Sequence, residues 1–298
     1  MNTDALVVVL TAGLLATACG LLGGFLVLRR QSLMSDAVSH AVLPGIVLVF
    51  LLTGSRAALP TILGATAVGV ACVLGFEALR RTGLVRSDAA IALTFPALFS
   101  LGVIGVSRFA SGAHLDLDTA IYGEITFAPL RTVAMGGLDV PRSLLVTGPA
   151  AVLTVLLVVL LWRPLQTSTL DPQFAEIVGL RGRLAQRVLL VASTAVAVVA
   201  FDNVGAVLVV AFFVVPAAAA HLLASRLGTM LILAVTIGWV SAVVGHWAAV
   251  RLDSSMSGTI GLATVVCFAL ARLLAPRRGL LWRRSLKART ALSLRRMQ

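Results

Sequence analysis

Charged residues are scarce in this sequence, and their scarcity excludes most kinds of soluble protein. Only 12% of the 298 residues are Asp, Glu, Lys or Arg, whereas 59% are apolar. A soluble domain has about 25% charged residues, because its surface must be wetted. The composition therefore predicts an integral membrane protein. It should be all-α, since a helix in lipid satisfies its own backbone hydrogen bonds.

Cysteine pairs and the common catalytic motifs are also missing. The three cysteines, Cys19, Cys72 and Cys267, lie in apolar runs and form no CxxC pair, which excludes a zinc knuckle and a disulfide framework. The phosphate-binding loop G-x-x-x-x-G-K-[ST] needs a lysine, and the single lysine, Lys287, has no such surroundings. No H-E-x-x-H or G-x-S-x-G motif is present. We therefore expect a protein that is not an enzyme, with any ATP hydrolysis supplied by a separate subunit.

Long apolar runs supply the membrane-spanning segments. A spanning helix needs about 20 apolar residues. Nine runs approach this length, near residues 5–28, 36–53, 57–79, 88–106, 144–162, 184–201, 204–224, 228–250 and 257–275. Only Asp202 and Asn203 separate the sixth run from the seventh, and a re-entrant pair there would reduce the count. The prediction is eight or nine transmembrane helices.

The net charge of +12 comes from arginine, and its distribution predicts the orientation. Basic residues next to spans concentrate on the cytoplasmic side of a membrane protein. With the N-terminus outside, all but five of the 24 Lys and Arg residues fall on the cytoplasmic side. The five exceptions are Arg56, Arg108, Arg131, Arg142 and Arg251. This distribution predicts a cytoplasmic C-terminus and explains the charge without any nucleic-acid partner.

A short helix is predicted at about 171–179, within an inner loop at 163–183. Asp171 is suited to cap its N-terminus, and Gly179 is suited to end it. Phe174, Ile177 and Val178 would share one face, at spacings of i, i+3 and i+4. Such a helix either rests on the membrane surface or inserts into a groove of a partner protein, and the residues alone leave both alternatives open.

Asp36 and His40 are the sharpest candidates for chemistry. An ionisable residue within a span costs about 2.5–3.5 kcal/mol to insert, so its presence usually has a function. Four residues apart on a helix, these two side chains share one face about 6 Å apart. A carboxylate with an imidazole suits manganese, zinc or ferrous iron. The alternative is that Asp36 caps a helix and His40 bonds to a backbone carbonyl.

Further polar positions are secondary candidates. The Ser-Asp-Ala sequence around Asp88 repeats that around Asp36 at an offset of 52 residues. His221 lies in the seventh run, where a packed histidine is the simpler interpretation. Asp116 and Asp118, in a long outer loop at 107–142, would either gather cations or be solvated.

The segment around His40 carries a specific resemblance. Residues 33–45 (LMSDAVSHAVLPG) closely resemble the signature of permease subunits of divalent-metal ABC importers, the ABC-3 family. Weaker matches follow in the family's order, over about residues 5–275. They are DLD and YG within 116–123, DPQFA to Gly179 at 171–179, and NVGAVL to VPAA within 203–218. Ser35 stands where the family has glycine, and His221 stands where it usually has arginine.

The resemblance implies an architecture and a set of partners. Residues 1–276 would form a permease domain of the ABC-importer type, followed by a basic cytoplasmic tail at 277–298. Two copies would form a homodimer in the bacterial cytoplasmic membrane, with a cytoplasmic ATP-binding subunit and an extracytoplasmic metal-binding protein. The cargo would be zinc or manganese, with iron as a further option, and no cofactor would be permanently bound.

The resemblance also assigns roles to residues. Asp36 and His40 would line the metal pathway. Asp171, Phe174, Ile177 and Gly179 would belong to the helix that couples the permease to the ATPase. The alternative function is a secondary carrier of a small cation, driven by a proton or ion gradient, with Asp36 or Glu77 as the proton carrier.

Overall fold

Helices dominate the computed structural model, as the composition predicts. The structure describes residues 3–34, 36–37, 44–45, 47–49, 52, 58–85, 87–109, 125–135, 138–180 and 182–275. Its longer helices are α1 (Thr3–Leu28), α2 (Ala58–Arg81), α3 (Ser87–Phe109), α4 (Arg142–Leu160), α5 (Trp162–Leu170), α6 (Pro172–Ile177), α7 (Gly182–Val204), α8 (Ala206–Leu223), α9 (Leu227–Leu252) and α10 (Met256–Leu274). A short 3-10 helix, Ile125–Phe127, precedes an antiparallel hairpin of β1 (Thr132–Met135) and β2 (Leu138–Pro141). The hairpin lies in the predicted loop 107–142.

Seven of the described helices are long and apolar enough to cross a membrane, namely α1, α2, α4, α7, α8, α9 and α10. Helix α3 has a shorter apolar stretch, Ala89–Gly105. The predicted span at 36–53 lies mostly outside the described residues, as does the predicted tail at 277–298. The fold class is therefore confirmed, and the predicted count of eight or nine is slightly too high for the part of the chain that the structure describes.

The sixth and seventh predicted runs are two separate helices, each long enough to cross. Gly205 alone joins α7 to α8, with a φ of 79° that glycine adopts at little cost because it has no Cβ. Asp202 and Asn203, which separate the two apolar runs in the sequence, lie in the last turn of α7. The Asn203 side-chain amide donates to the Val199 carbonyl oxygen at 2.7 Å, which lets the helix continue past the two polar residues.

Helix α1 lies at the centre of the bundle. It packs against α4, α7, α8 and α9, and most of its residues are buried. Glycine permits this close packing, since a Cβ at Gly23 would overlap the backbone carbonyl oxygen of Phe213 in α8. Thr11 adds a polar link by donating to the Ser143 hydroxyl of α4 at 3.2 Å.

The bundle has two ends, which we name by their landmarks. At the hairpin end, α4 begins and α7 finishes, and Arg142 lies 3.4 Å from Asp202. At the α6 end, α5 and α6 connect α4 to α7, and α5 lies beside the end of α1. Each end thus gathers the connections between helices that cross in opposite directions.

Helix α5 was not predicted, and the expectation of a loop with only one short helix at 163–183 is wrong there. Its sequence, WRPLQTSTL, is polar on average, although Leu165 is buried. The structure shows that Thr167, Ser168 and Thr169 each donate a hydroxyl hydrogen bond to the carbonyl four residues earlier. Pro164 lies in the first turn, where a missing N–H costs nothing.

Candidate functional site

Asp36 lies where the chain re-enters the bundle at the α6 end. Beyond α1 the chain reverses at Arg30, whose φ of 56° is left-handed. Met34 and Ala37 are then buried in the main apolar core, at 4% and 6% exposed. Asp36, between them, is half-buried. The carboxylate is thus positioned by two core contacts at the entrance to the bundle.

The end of the signature segment lies between α2 and α3. A side chain at Gly45 would overlap the backbone of Ala65 in α2. Pro44 contacts Gly102 of α3, where an added Cβ would approach its ring to 3.0 Å. The Pro-Gly pair therefore lets this segment fit between two helices, and a larger residue at Gly45 would push against the backbone of α2.

His40 lies outside the described residues, so its distance from Asp36 stays a prediction. Asp116 and Asp118 also lie outside them. Asp88 is in the first turn of α3, but the structure does not describe its side chain. In the described ranges, no group of three or more His, Cys, Asp and Glu residues comes together.

His221 lies at the α6 end, in the last turn of α8. It lines a cavity of about 520 Å³ whose other walls include Leu28, Leu170 and Met230. These neighbours come from α1, α5 and α9, and Ser225 and Arg226 add polar side chains to the lining. The structure therefore places His221 next to the helices that lead to α6, and a role for it as a metal ligand stays a prediction.

The predicted short helix is confirmed as α6. The Asp171 carboxylate accepts a hydrogen bond from the Phe174 N–H at 3.0 Å, and Pro172 occupies the first turn. Gly179 has a φ of 75°, which ends the segment in the left-handed conformation that glycine favours. The local sequence signals therefore fix both ends of this segment.

The apolar face of α6 points away from the bundle. Phe174, Ile177 and Val178 are 52%, 83% and 55% exposed. Ala175 on the opposite face is fully buried and lies near Gly182 at the start of α7. Ala175 thus packs α6 against the bundle, while the large apolar side chains of this segment are exposed.

A contact that the sequence analysis missed connects α5 to α1. The sequence analysis counted Arg29 only among the basic residues of the cytoplasmic side. In the structure, its guanidinium donates hydrogen bonds to the hydroxyls of Ser168 and Thr169. Ser168 and Thr169 follow Arg29 by 139 and 140 residues in the sequence, so no local pattern indicates this contact. This contact joins the segment before α6 to the turn before Asp36.

Comparisons with known proteins point to one family. The model of the ABC 3 transport family matches residues 3–275. The chain is 41% identical over 275 residues to the manganese transport system membrane protein MntD of Bacillus subtilis, covering 92% of this chain and 93% of that protein. It is 43% identical over 276 residues to the zinc transport system membrane protein TroD of Treponema pallidum, covering 93% and 75%.

A solved structure shares the architecture. PsaBC from Streptococcus pneumoniae, in complex with Fab, matches with a TM-score of 0.75 and 27% sequence identity. The match covers 91% of this chain and 91% of the other. The sequence and the fold therefore lead to the same group of proteins.

Proposed function

Because the chain belongs to the ABC 3 transport family, we propose that it is the permease subunit of an ATP-driven importer that moves a divalent transition metal ion into the cytoplasm. The observation that carries the proposal is the identity of 41% and 43% to membrane proteins named for manganese and zinc transport. The metal ion is cargo, so the chain needs a pathway and not a closed binding site. Manganese and zinc are the cargoes that these names support.

The partners follow from the same assignment. An ABC permease of a metal importer works with an ATPase and a substrate-binding protein, since it has no ATP-hydrolysing site of its own. The exposed apolar face of α6 supports α6 as the surface on which the ATPase docks, because water contact with Phe174 and Ile177 is unfavourable. A second copy of the chain would complete the pathway as a homodimer in the bacterial inner membrane.

The proposed orientation places the α6 end in the cytoplasm. Arg29, Arg80, Arg163, Arg183 and Arg226 all lie at or near that end, as the described helices are arranged. Basic residues at spans favour the cytoplasmic side. The N-terminus would then be outside.

Reporter fusions test this orientation. Alkaline phosphatase fused after Ser254, in the turn between α9 and α10, should be active because that turn lies outside. The same enzyme fused after Gly83 or Thr167 should be inactive, whereas green fluorescent protein at those positions should fluoresce. Two or more fusions with the opposite behaviour would overturn the orientation and the docking of the ATPase at α6.

Reconstituted transport tests the function itself. In proteoliposomes that hold the permease, its ATPase and the metal-loaded binding protein, radioactive manganese or zinc should accumulate with ATP and not with ADP. Metal uptake by the permease alone, driven by an imposed proton gradient, would instead support the secondary carrier. The permease with an ATPase lacking its catalytic glutamate provides the control for passive leakage.

A further inference from the structure

Arg29 joins the end of α1 to α5 through two hydrogen bonds. Its Nε donates to the Thr169 hydroxyl at 3.0 Å, and its Nη2 donates to the Ser168 hydroxyl at 2.8 Å. Each hydroxyl has one proton and two lone pairs. The protons are used within α5, where Ser168 donates to the Pro164 carbonyl and Thr169 to the Leu165 carbonyl. Both hydroxyl oxygens are therefore fixed as acceptors for Arg29.

The position is an unfavourable one for a cation. Burial, and secondly the positive charge of Arg80, lower the pKa of Arg29 to about 10. Within the ranges that the structure describes, the guanidinium of Arg29 donates its hydrogen bonds to these two neutral hydroxyls. A partly buried charge without a carboxylate is costly. Its presence points to a role other than stability.

On one side, Arg29 reaches α6 through a continuous stretch of hydrogen-bonded chain. Asp171 alone separates α5 from α6. Its N–H donates to the Thr167 carbonyl at 2.8 Å, and its carboxylate caps α6. A displacement of α6 therefore displaces α5, because no flexible linker lies between them.

On the other side, Arg29 begins the turn that leads to Asp36. The Gln31 N–H donates to the Leu26 carbonyl at 2.9 Å, and the Met34 N–H donates to the Gln31 carbonyl at 3.0 Å. Two residues later the chain reaches Asp36. This short, hydrogen-bonded turn would transmit a movement of Arg29 to the carboxylate.

We propose that Arg29 is a positioning residue that transmits movement of α5 and α6 to the turn before Asp36, and thereby couples ATP hydrolysis to metal movement. The inference rests on the proposed function, in which α6 docks the ATPase and Asp36 contacts the metal. A guanidinium that bonds through two nitrogens fixes an angle as well as a distance. Rotation of α5 therefore moves the end of α1 instead of slipping past it.

The substitution Arg29→Lys keeps the charge and removes the two-pronged geometry. In proteoliposomes of the whole complex, we expect the metal transported per ATP hydrolysed to fall about tenfold. Co-purification of the ATPase and basal ATP hydrolysis should stay at wild-type levels, because the α6 surface is unchanged. A merely structural role would lower the amount of assembled complex and leave the ratio of metal to ATP unaltered.

A second variant removes the acceptors in place of the donor. Ser168→Ala with Thr169→Val should lower the ratio as much as Arg29→Lys does. In the variant with all three changes, the metal transported per ATP should be within about twofold of the value in either partial variant, because both partial variants break the same link. Fully additive losses would show that the two sides act independently and would overturn the inference.

Arg183→Lys is the matched control. Arg183 Nε lies 3.1 Å from the Glu176 carboxylate of α6, but the two side chains are 80% and 58% exposed, so this pair adds little. The metal transported per ATP hydrolysed should be the same in Arg183→Lys as in the wild type. A normal ratio in Arg29→Lys, with a wild-type complex that transports metal, would overturn the Arg29 inference alone. A wild-type complex without ATP-driven transport would overturn the proposed function and, with it, the inference.

Discussion

Replacing Asp36 with asparagine, or His40 with alanine, should abolish metal uptake while the permease still inserts and still binds its ATPase. Asparagine keeps the size of the side chain and removes its charge, and alanine removes the imidazole. We expect each change to lower uptake of radioactive manganese or zinc at least about tenfold, which is about 1.4 kcal/mol of lost stabilisation of the moving ion. Expression and basal ATP hydrolysis should be close to normal.

The physical reason lies in the surroundings of Asp36. The carboxylate is half-buried between two residues of the apolar core, Met34 and Ala37. A passing divalent cation would offset the cost of a charge in that place. A site with four protein ligands would hold zinc as a structural ion, whereas two ligands bind weakly enough to release it.

Asp253→Asn is the control for this experiment. Asp253 is an exposed carboxylate at the C-terminus of α9, with a φ of 47° that asparagine also adopts readily. The same chemical change there should leave uptake unaltered. If uptake survives Asp36→Asn and His40→Ala at normal expression, the two residues are a helix cap and a packed histidine.

The second large effect is expected at α6. Phe174→Ala should weaken binding of the ATPase by about 2 kcal/mol or more, because a buried aromatic anchor at an interface typically contributes this much. The ATPase should no longer co-purify with the permease, and ATP-driven uptake should fall in parallel. The isolated permease should keep its stability, since Phe174 is 52% exposed in it.

Phe127→Ala separates a docking role from a general effect of losing an exposed aromatic ring. Phe127 is 50% exposed and lies in the 3-10 helix Ile125–Phe127, before the hairpin. Its replacement should leave both the ATPase association and the uptake unchanged. Unchanged association in Phe174→Ala would show that α6 rests on the membrane surface.

The features that sequence analysis predicted well are those with local signals. Helix α6 was predicted at both ends because Asp171 and Gly179 act on backbone within a few residues of themselves. The spans were predicted because lipid demands a long apolar run wherever a helix crosses. The single-glycine join at Gly205 was less predictable, since Asp202 and Asn203 look like a turn and nonetheless stay helical.

The features that it missed depend on contacts between distant parts of the chain. Helix α5 is short and polar on average, and hydroxyl bonds and packing against α7 stabilise it. Arg29 looked like any arginine at the end of a span, because its acceptors lie on α5. A role for Asp36 and His40 in metal transport was proposed from their spacing, but only the structure shows that Met34 and Ala37, on either side of Asp36, belong to the core.

The central position of α1 has a consequence for how the protein is made. Helix α1 packs against α9, which begins about 200 residues later in the chain; at 5–20 residues per second this is a delay of roughly 10–40 s. Until α4 and the later helices that pack on it are made, α1 must reside in the bilayer as a stable single helix. Its mean hydropathy of 2.4 is as high as that of any span in the described residues, although 67% of the residues in its most apolar stretch are buried in the bundle. The apolar character of α1 therefore serves insertion by the translocon first and packing of the finished bundle afterwards.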